Sequence, residues 1–99
     1  MNNKFLPLYK KIIVDSVTQV LPKCSIYLFG SRARNTNREG ADIDVALDNQ
    51  KVISFQDLMT IRNNLEDSHI PVNMDIVDLH AVSQDFKNKI LPEIVVWKK

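Results

Sequence analysis

Apolar residues recur at three- and four-residue intervals near the start of the chain: Phe5, Leu8, Tyr9, Ile12, Ile13, Val17, Val20 and Leu21, with Lys10, Lys11, Asp15 and Gln19 between them. That spacing draws one apolar stripe along a helix and predicts a first amphipathic helix ending near Pro22. The period then changes. "SIYLFG" is a short aromatic and β-branched run stopped by a glycine, which reads as a buried strand. In "ADIDVALD", Ile43, Val45 and Leu47 alternate with Asp42, Asp44, Ala46 and Asp48, the pattern of a strand with one covered face. Ser54 with Asp57 three residues on opens a helix carrying Phe55, Leu58, Ile61 and Leu65. "HIPVNMDIVDL" reads as a third strand, and Ser83 caps a last helix with Phe86 and Ile90 that Pro92 ends or kinks. The predicted order is α-β-β-α-β-α, a small mixed α/β (α+β) sheet with helices packed on one face.

Composition narrows the picture. At 99 residues, 44% of them hydrophobic and 25% charged, the chain has ordinary globular usage and reads as one domain over 1–99. A net charge of +1 gives no global field for holding a nucleic acid, so any anion site must be local, and Arg32, Arg34 and Arg38 form the obvious cluster. Cys24 stands alone and reads as a small buried hydrophobe. With no signal-like segment and no membrane-length apolar run, the expectation is a cytoplasmic protein with no membrane partner.

The chemistry-bearing residues lie in "FGSRARNTNREGADIDVALD". Residues two apart in a strand point the same way, so Asp42 and Asp44 share the face opposite Ile43, Val45 and Leu47. Paired carboxylates repel unless a cation neutralises them, and all-oxygen donors suit Mg²⁺. An isolated D-x-D is most often only the wet side of an edge strand, so its context decides. Upstream, Gly30 ends a strand and Ser31 is a natural N-cap for a short turn through Arg32, Ala33 and Arg34. Glycine allows close approach of a phosphate, and the hydroxyl, backbone N–H groups and arginines can bind it.

G-S, ten residues, then D-x-D is the signature of the nucleotidyltransferases related to DNA polymerase β, and Gly30-Ser31 with Asp42-Ile43-Asp44 match its spacing. "LFGSRAR" and "ADIDVAL" resemble in particular the minimal nucleotidyltransferases, small prokaryotic proteins that serve as antitoxins beside a helical HEPN-type partner. The resemblance implies an Mg²⁺-dependent transfer of AMP from ATP to a hydroxyl, a tyrosine of a HEPN toxin, within a hetero-oligomer. It implies two Mg²⁺ ions on Asp42, Asp44 and a third carboxylate, with Gly30, Ser31 and Arg34 on the nucleotide.

"VNMDIVDL" offers Asp75 and Asp78 as that third group, and parity selects Asp75 for catalysis and metal binding, since Asp78 shares its face with Val72, Met74 and Ile76. Asn35 stands where the family has a second glycine, and asparagine, after glycine, most readily adopts the left-handed conformation. His69 and His80 read as surface residues and Trp97 as core cover, with the first helix or 94–97 as docking surface for the acceptor. Two alternatives are a catalytically inactive antitoxin that acts by binding, and a nucleic-acid-modifying or binding module. Near-neutral charge and the lack of aromatic stacking residues near the site argue against the second.

Overall fold

A computed structural model describes residues 3–99. The elements are α1 (Leu6–Thr18), β1 (Ser25–Phe29), α2 (Gly30–Arg34), β2 (Ile43–Asp48), α3 (Phe55–Asp67), β3 (Met74–Asp78), α4 (Gln84–Ile90), a 3-10 turn (Leu91–Glu93) and β4 (Val95–Lys98). They build one four-stranded mixed sheet in the order β3-β2-β1-β4. β2 runs antiparallel to β1 and parallel to β3, while β4 is antiparallel to β1 on the far edge.

The expected helix starts hold. Ser54 accepts from the Asp57 N–H at 3.1 Å and Ser83 from the Phe86 N–H at 3.1 Å, each satisfying one otherwise unpaired donor of a first turn. β4 is an addition to the expected order, and the short turn expected through Arg32, Ala33 and Arg34 is the helix α2. β4 follows the Pro92 turn at once and takes Trp97 against the main core, as expected for a covering residue.

That core lies between one sheet face and the helices α1 and α3. Ile13 and Val17 of α1 and Ile61 and Leu65 of α3 meet Ile26, Leu28, Ile43, Val45, Leu47 and Ile76 of the strands, all buried. Fully burying one such side chain stabilises by about 1.5–3 kcal/mol, so this face holds the fold. Cys24 is buried in the same cluster, and burial pushes its thiol up to about 11, which makes it inert.

The helices do not all lie on one face, contrary to the expectation. Phe86 and Ile90 of α4 pack on the opposite side, against Tyr27, Phe29, Ala46 and Val77. The reason is in β2: Ala46 shares the face of the aspartates yet is small and fully buried, leaving an apolar floor that α4 covers. Phe29 and Phe86 meet edge to face with centroids 5.8 Å apart. The second face is therefore roofed over Ala46, with Asp44 and Asp48 on either side of it along β2.

Candidate active site

β1 delivers the chain to Gly30, and β2 brings Asp44 back beside it, because Phe29 and Asp44 are register partners. Gly30 has φ +78°, which favours glycine, and a methyl group placed on it would collide with the Asp44 carboxylate. The backbone conformation favours glycine, and the missing side chain leaves room for the Asp44 carboxylate. α2 starts at Gly30 with Phe29 in the N-cap position, so Ser31 lies inside the helix and is not its cap. The cause is the left-handed Gly30, which turns the chain one residue before the serine. The half-buried Ser31 hydroxyl makes no hydrogen bond among the described residues, so it can serve an incoming anion.

Asn35 closes α2 at φ 60°, ψ 34°, and so keeps the left-handed path that a glycine would give. The three arginines separate into different roles. Arg32 is buried, with Nε and Nη2 donating to the Ala41 carbonyl at 3.0 and 2.8 Å and Nη1 donating to Asn3 at 2.9 Å, so it fixes the loop from below. Arg34 is half-exposed and pairs with Glu93 at 2.8 Å. Arg38 is exposed.

Asp44 and Asp75 are direct partners across the parallel β2–β3 ladder and therefore share a face. Asp75, the β3 aspartate that parity selects, therefore lies on the Asp44 face. Asp42 is exposed and lies just before β2, not within it. Burial, then the carboxylates of Asp75, Asp42 and Glu93, raise the Asp44 carboxyl above the usual carboxylate range, while Arg34 works the other way. Four acidic groups thus crowd one half-buried position next to a glycine loop. Among the described residues, no three histidine, cysteine or carboxylate side chains stand close enough to form a ready metal cage. The donors nonetheless fit a hard divalent cation in chemistry, being oxygen-only and mutually repulsive.

Asp78 is elsewhere. It is buried on the core face and accepts the Ile53 N–H at 2.8 Å and the His80 N–H at 2.9 Å, which makes it a structural tie as expected of a strand-end aspartate. His80 Nε2 meets Asp48 at 2.7 Å, again away from Asp44. An open hollow of about 460 Å³ lies beside Ser31 and is floored by residues 36–41. A cleft of about 530 Å³ between α3 and the free edge of β3 has Asp75 on its rim.

Residues 17–99 match the family described as polymerase beta, nucleotidyltransferase. The chain belongs to this nucleotidyltransferase family. It is 25% identical over 85 residues to a Haemophilus influenzae protein named as a probable protein adenylyltransferase, MntA, spanning 86% of this chain and 75% of that one. It is 30% identical over 73 residues to a Methanocaldococcus jannaschii protein named, provisionally, protein adenylyltransferase MJ0126, spanning 74% of each. Among solved structures, a toxin–antitoxin complex with AMP-PNP matches with TM-score 0.75 and 22% identity, covering 89% of this chain and 71% of that one. A Shewanella oneidensis MNT antitoxin in complex with tri-AMPylated HEPN toxin matches with TM-score 0.71 and 21% identity, covering 98% and 71%. At these identities the structural matches establish the nucleotidyltransferase fold. No helix among the described residues is long and apolar enough to cross a membrane.

Glu93 was not legible as a site residue. It sits 63 positions after Gly30, in a turn marked in the sequence only by Pro92, and it reaches the loop solely because β4 returns beside β1. Pro92 signals the end of a helix and says nothing about where the chain goes next.

Proposed function

We propose that this nucleotidyltransferase transfers AMP from ATP to a hydroxyl of a HEPN-type toxin, a tyrosine, and so acts in the cytoplasm as the antitoxin of a pair. The observation that carries the reading is the juxtaposition of Asp44 and Asp75, register partners beside Gly30, with Asp42 close enough to raise the Asp44 carboxyl further. The names of the relatives, and of the complexes that share the fold, support the substrate and the partner.

In this mechanism Ser31 and Arg34 hold the terminal phosphates and Gly30, with no side chain, lets them approach the loop closely, so that the α-phosphorus lies in line with the acceptor oxygen. The acceptor oxygen forms a bond to the α-phosphorus as the bond to pyrophosphate breaks. Asp75 takes or relays the acceptor proton. Asp42, Asp44 and Asp75 would hold two Mg²⁺ ions, which when bound neutralise the phosphates and activate the acceptor oxygen. Asp44, half-buried among like charges, is the group that gains most from a cation. Exposed Phe5, Leu8, Val95 and Val96 offer the apolar surface on which the toxin docks.

The test is to mix the purified protein with its candidate HEPN partner, Mg²⁺ and radiolabelled ATP, then measure the partner by intact mass. The expected result is one or more AMP groups added to a partner tyrosine, with loss of toxicity. Neutralisation without added mass would make the protein a noncatalytic antitoxin. Label appearing on RNA and not on protein would make it a nucleic-acid-modifying enzyme.

A further inference from the structure

Glu93 ties the turn before β4 to the candidate phosphate loop. Its Oε2 accepts the Gly30 N–H at 2.7 Å and Arg34 Nη1 at 2.8 Å, so a single oxygen gathers both donors. Bonds of this kind, with ionised partners, are among the stronger ones available to side chains. Glu93 is held firmly from behind. It closes the 3-10 turn between α4 and β4, Pro92 restricts the backbone before it, and its side chain is only 18% exposed.

Arg34 is different, with a side chain 49% exposed. Only its Nη1 is bonded among the described residues, and the remaining guanidinium donors have no protein partner there. A guanidinium fork held at one corner still offers planar donors to an outside anion.

We propose that Glu93 is a positioning residue for the nucleotide: it holds Gly30 and the Arg34 guanidinium in the arrangement that receives the triphosphate. The inference rests on the nucleotide reading of this loop. A competing role is available to the same carboxylate, that of an internal anion occupying the phosphate's donors. The firm mount and the unused Arg34 donors favour positioning, since a displaceable plug would sit on a mobile segment and would cover the whole fork. The two roles predict opposite signs. Removing a positioning residue weakens ATP binding, and removing a plug strengthens it.

The experiment measures binding of a nonhydrolysable ATP analogue with Mg²⁺, together with KM and kcat for ATP, in wild type, Glu93→Ala, Glu93→Gln, Arg34→Ala and the Arg34→Ala/Glu93→Ala double variant. Glu93→Ala should weaken analogue binding about tenfold, the scale of one lost charge-assisted contact. The change should fall on KM more than on kcat. Glu93→Gln keeps an acceptor oxygen and should recover part of the loss. If Glu93 acts through Arg34, removing it from the Arg34→Ala background should cost much less than removing it from wild type. A purely structural role would instead lower the melting temperature and leave the folded fraction binding normally. Should Glu93→Ala not fold, Glu93→Gln carries the same sign test. Binding as tight as wild type, or tighter, overturns the inference while the nucleotide reading stands. A wild-type protein that does not bind the analogue removes that reading and takes the inference with it.

Discussion

The two ends of the β2–β3 pair carry the same residue type in opposite circumstances. At one end Asp78 is buried and satisfied by two backbone N–H groups, and Asp48 accepts the Gln50 N–H at 2.8 Å and meets His80. At the other end Asp44 faces Asp75, Asp42 and Glu93 and is driven above its usual pKa. Aspartates that tie the fold together are given donors, whereas those at the candidate site are left crowded by like charge. A buried or half-buried acid without compensating donors costs stability, so a fold keeps one where a ligand or an ion supplies the missing charge.

Asp44→Asn breaks this contrast most strongly. Transfer activity should fall by roughly two to three orders of magnitude, because a group at the reacting phosphate is lost. Apo stability should stay level or rise. A raised folded pKa means that folding favours protonated Asp44; its contribution is complete below the ordinary carboxylate pKa and is lost as pH rises through the raised value. At neutral pH the charged form is therefore a burden, which asparagine removes. Mg²⁺ with a nonhydrolysable ATP analogue should raise the melting temperature of wild type and hardly that of the variant. Equal shifts in the two proteins would remove Asp44 from the site.

Asp78→Asn makes the reverse experiment at the other end. The amide retains one acceptor oxygen, so one of the Ile53 and His80 N–H groups loses its partner, and Ile53 is buried. An unsatisfied buried donor costs about 1–3 kcal/mol, a drop of several degrees or more in the melt of a chain this size. The Mg²⁺-dependent shift and the activity of the folded fraction should be preserved. Loss of activity without loss of stability would show that the two ends are not separate in function.

Much of the contrast was written in the alternation of side chains. Period-two patterning placed Asp44 opposite Val45, and the same parity separated Asp75 from Asp78, because a strand with one buried face leaves no freedom in which residues it turns outward. What alternation could not give was which sheet face each helix covers. Phe86 and Ile90 mark an apolar stripe on α4, but only the small buried Ala46, which reads as one more residue on the polar side, shows where that stripe lands. β4 escaped because four residues at the end of the chain carry little periodic signal and are fixed by pairing with β1, some seventy positions earlier. Glu93 escaped with it.

Ser31→Ala probes the loop that serves the crowded end. Its hydroxyl has no hydrogen-bond partner among the described residues, so its loss should leave the melting temperature almost unchanged. In turnover it removes one donor to a phosphate, about 1 kcal/mol, or roughly fivefold in KM for ATP. Steady-state kinetics beside a thermal melt check both halves. A large drop in stability with normal ATP use would make Ser31 a structural residue and weaken the division between the two ends.

The smallest effect should come from Asp48→Asn, at the satisfied end. The Gln50 N–H first, and then His80, hold the Asp48 carboxyl below its usual range, against the opposing effect of burial. A depressed acid stabilises the fold above its ordinary pKa and loses that contribution as pH falls through the depressed value. The asparagine oxygen can still accept the Gln50 N–H, so at neutral pH the variant should lose less than about 1 kcal/mol, as expected for a partly exposed pair. The gap between wild type and variant should narrow as the pH is lowered below about 4, the ordinary carboxylate value, and added salt should narrow it further by screening the His80 contact. Melts across pH at two salt concentrations measure this directly. A gap that stays constant across pH would assign Asp48 a packing role and not an electrostatic one. An altered Mg²⁺ response in this variant would show that charge at the satisfied end is felt at Asp44, and that the division along β2 is less sharp than the hydrogen bonds suggest.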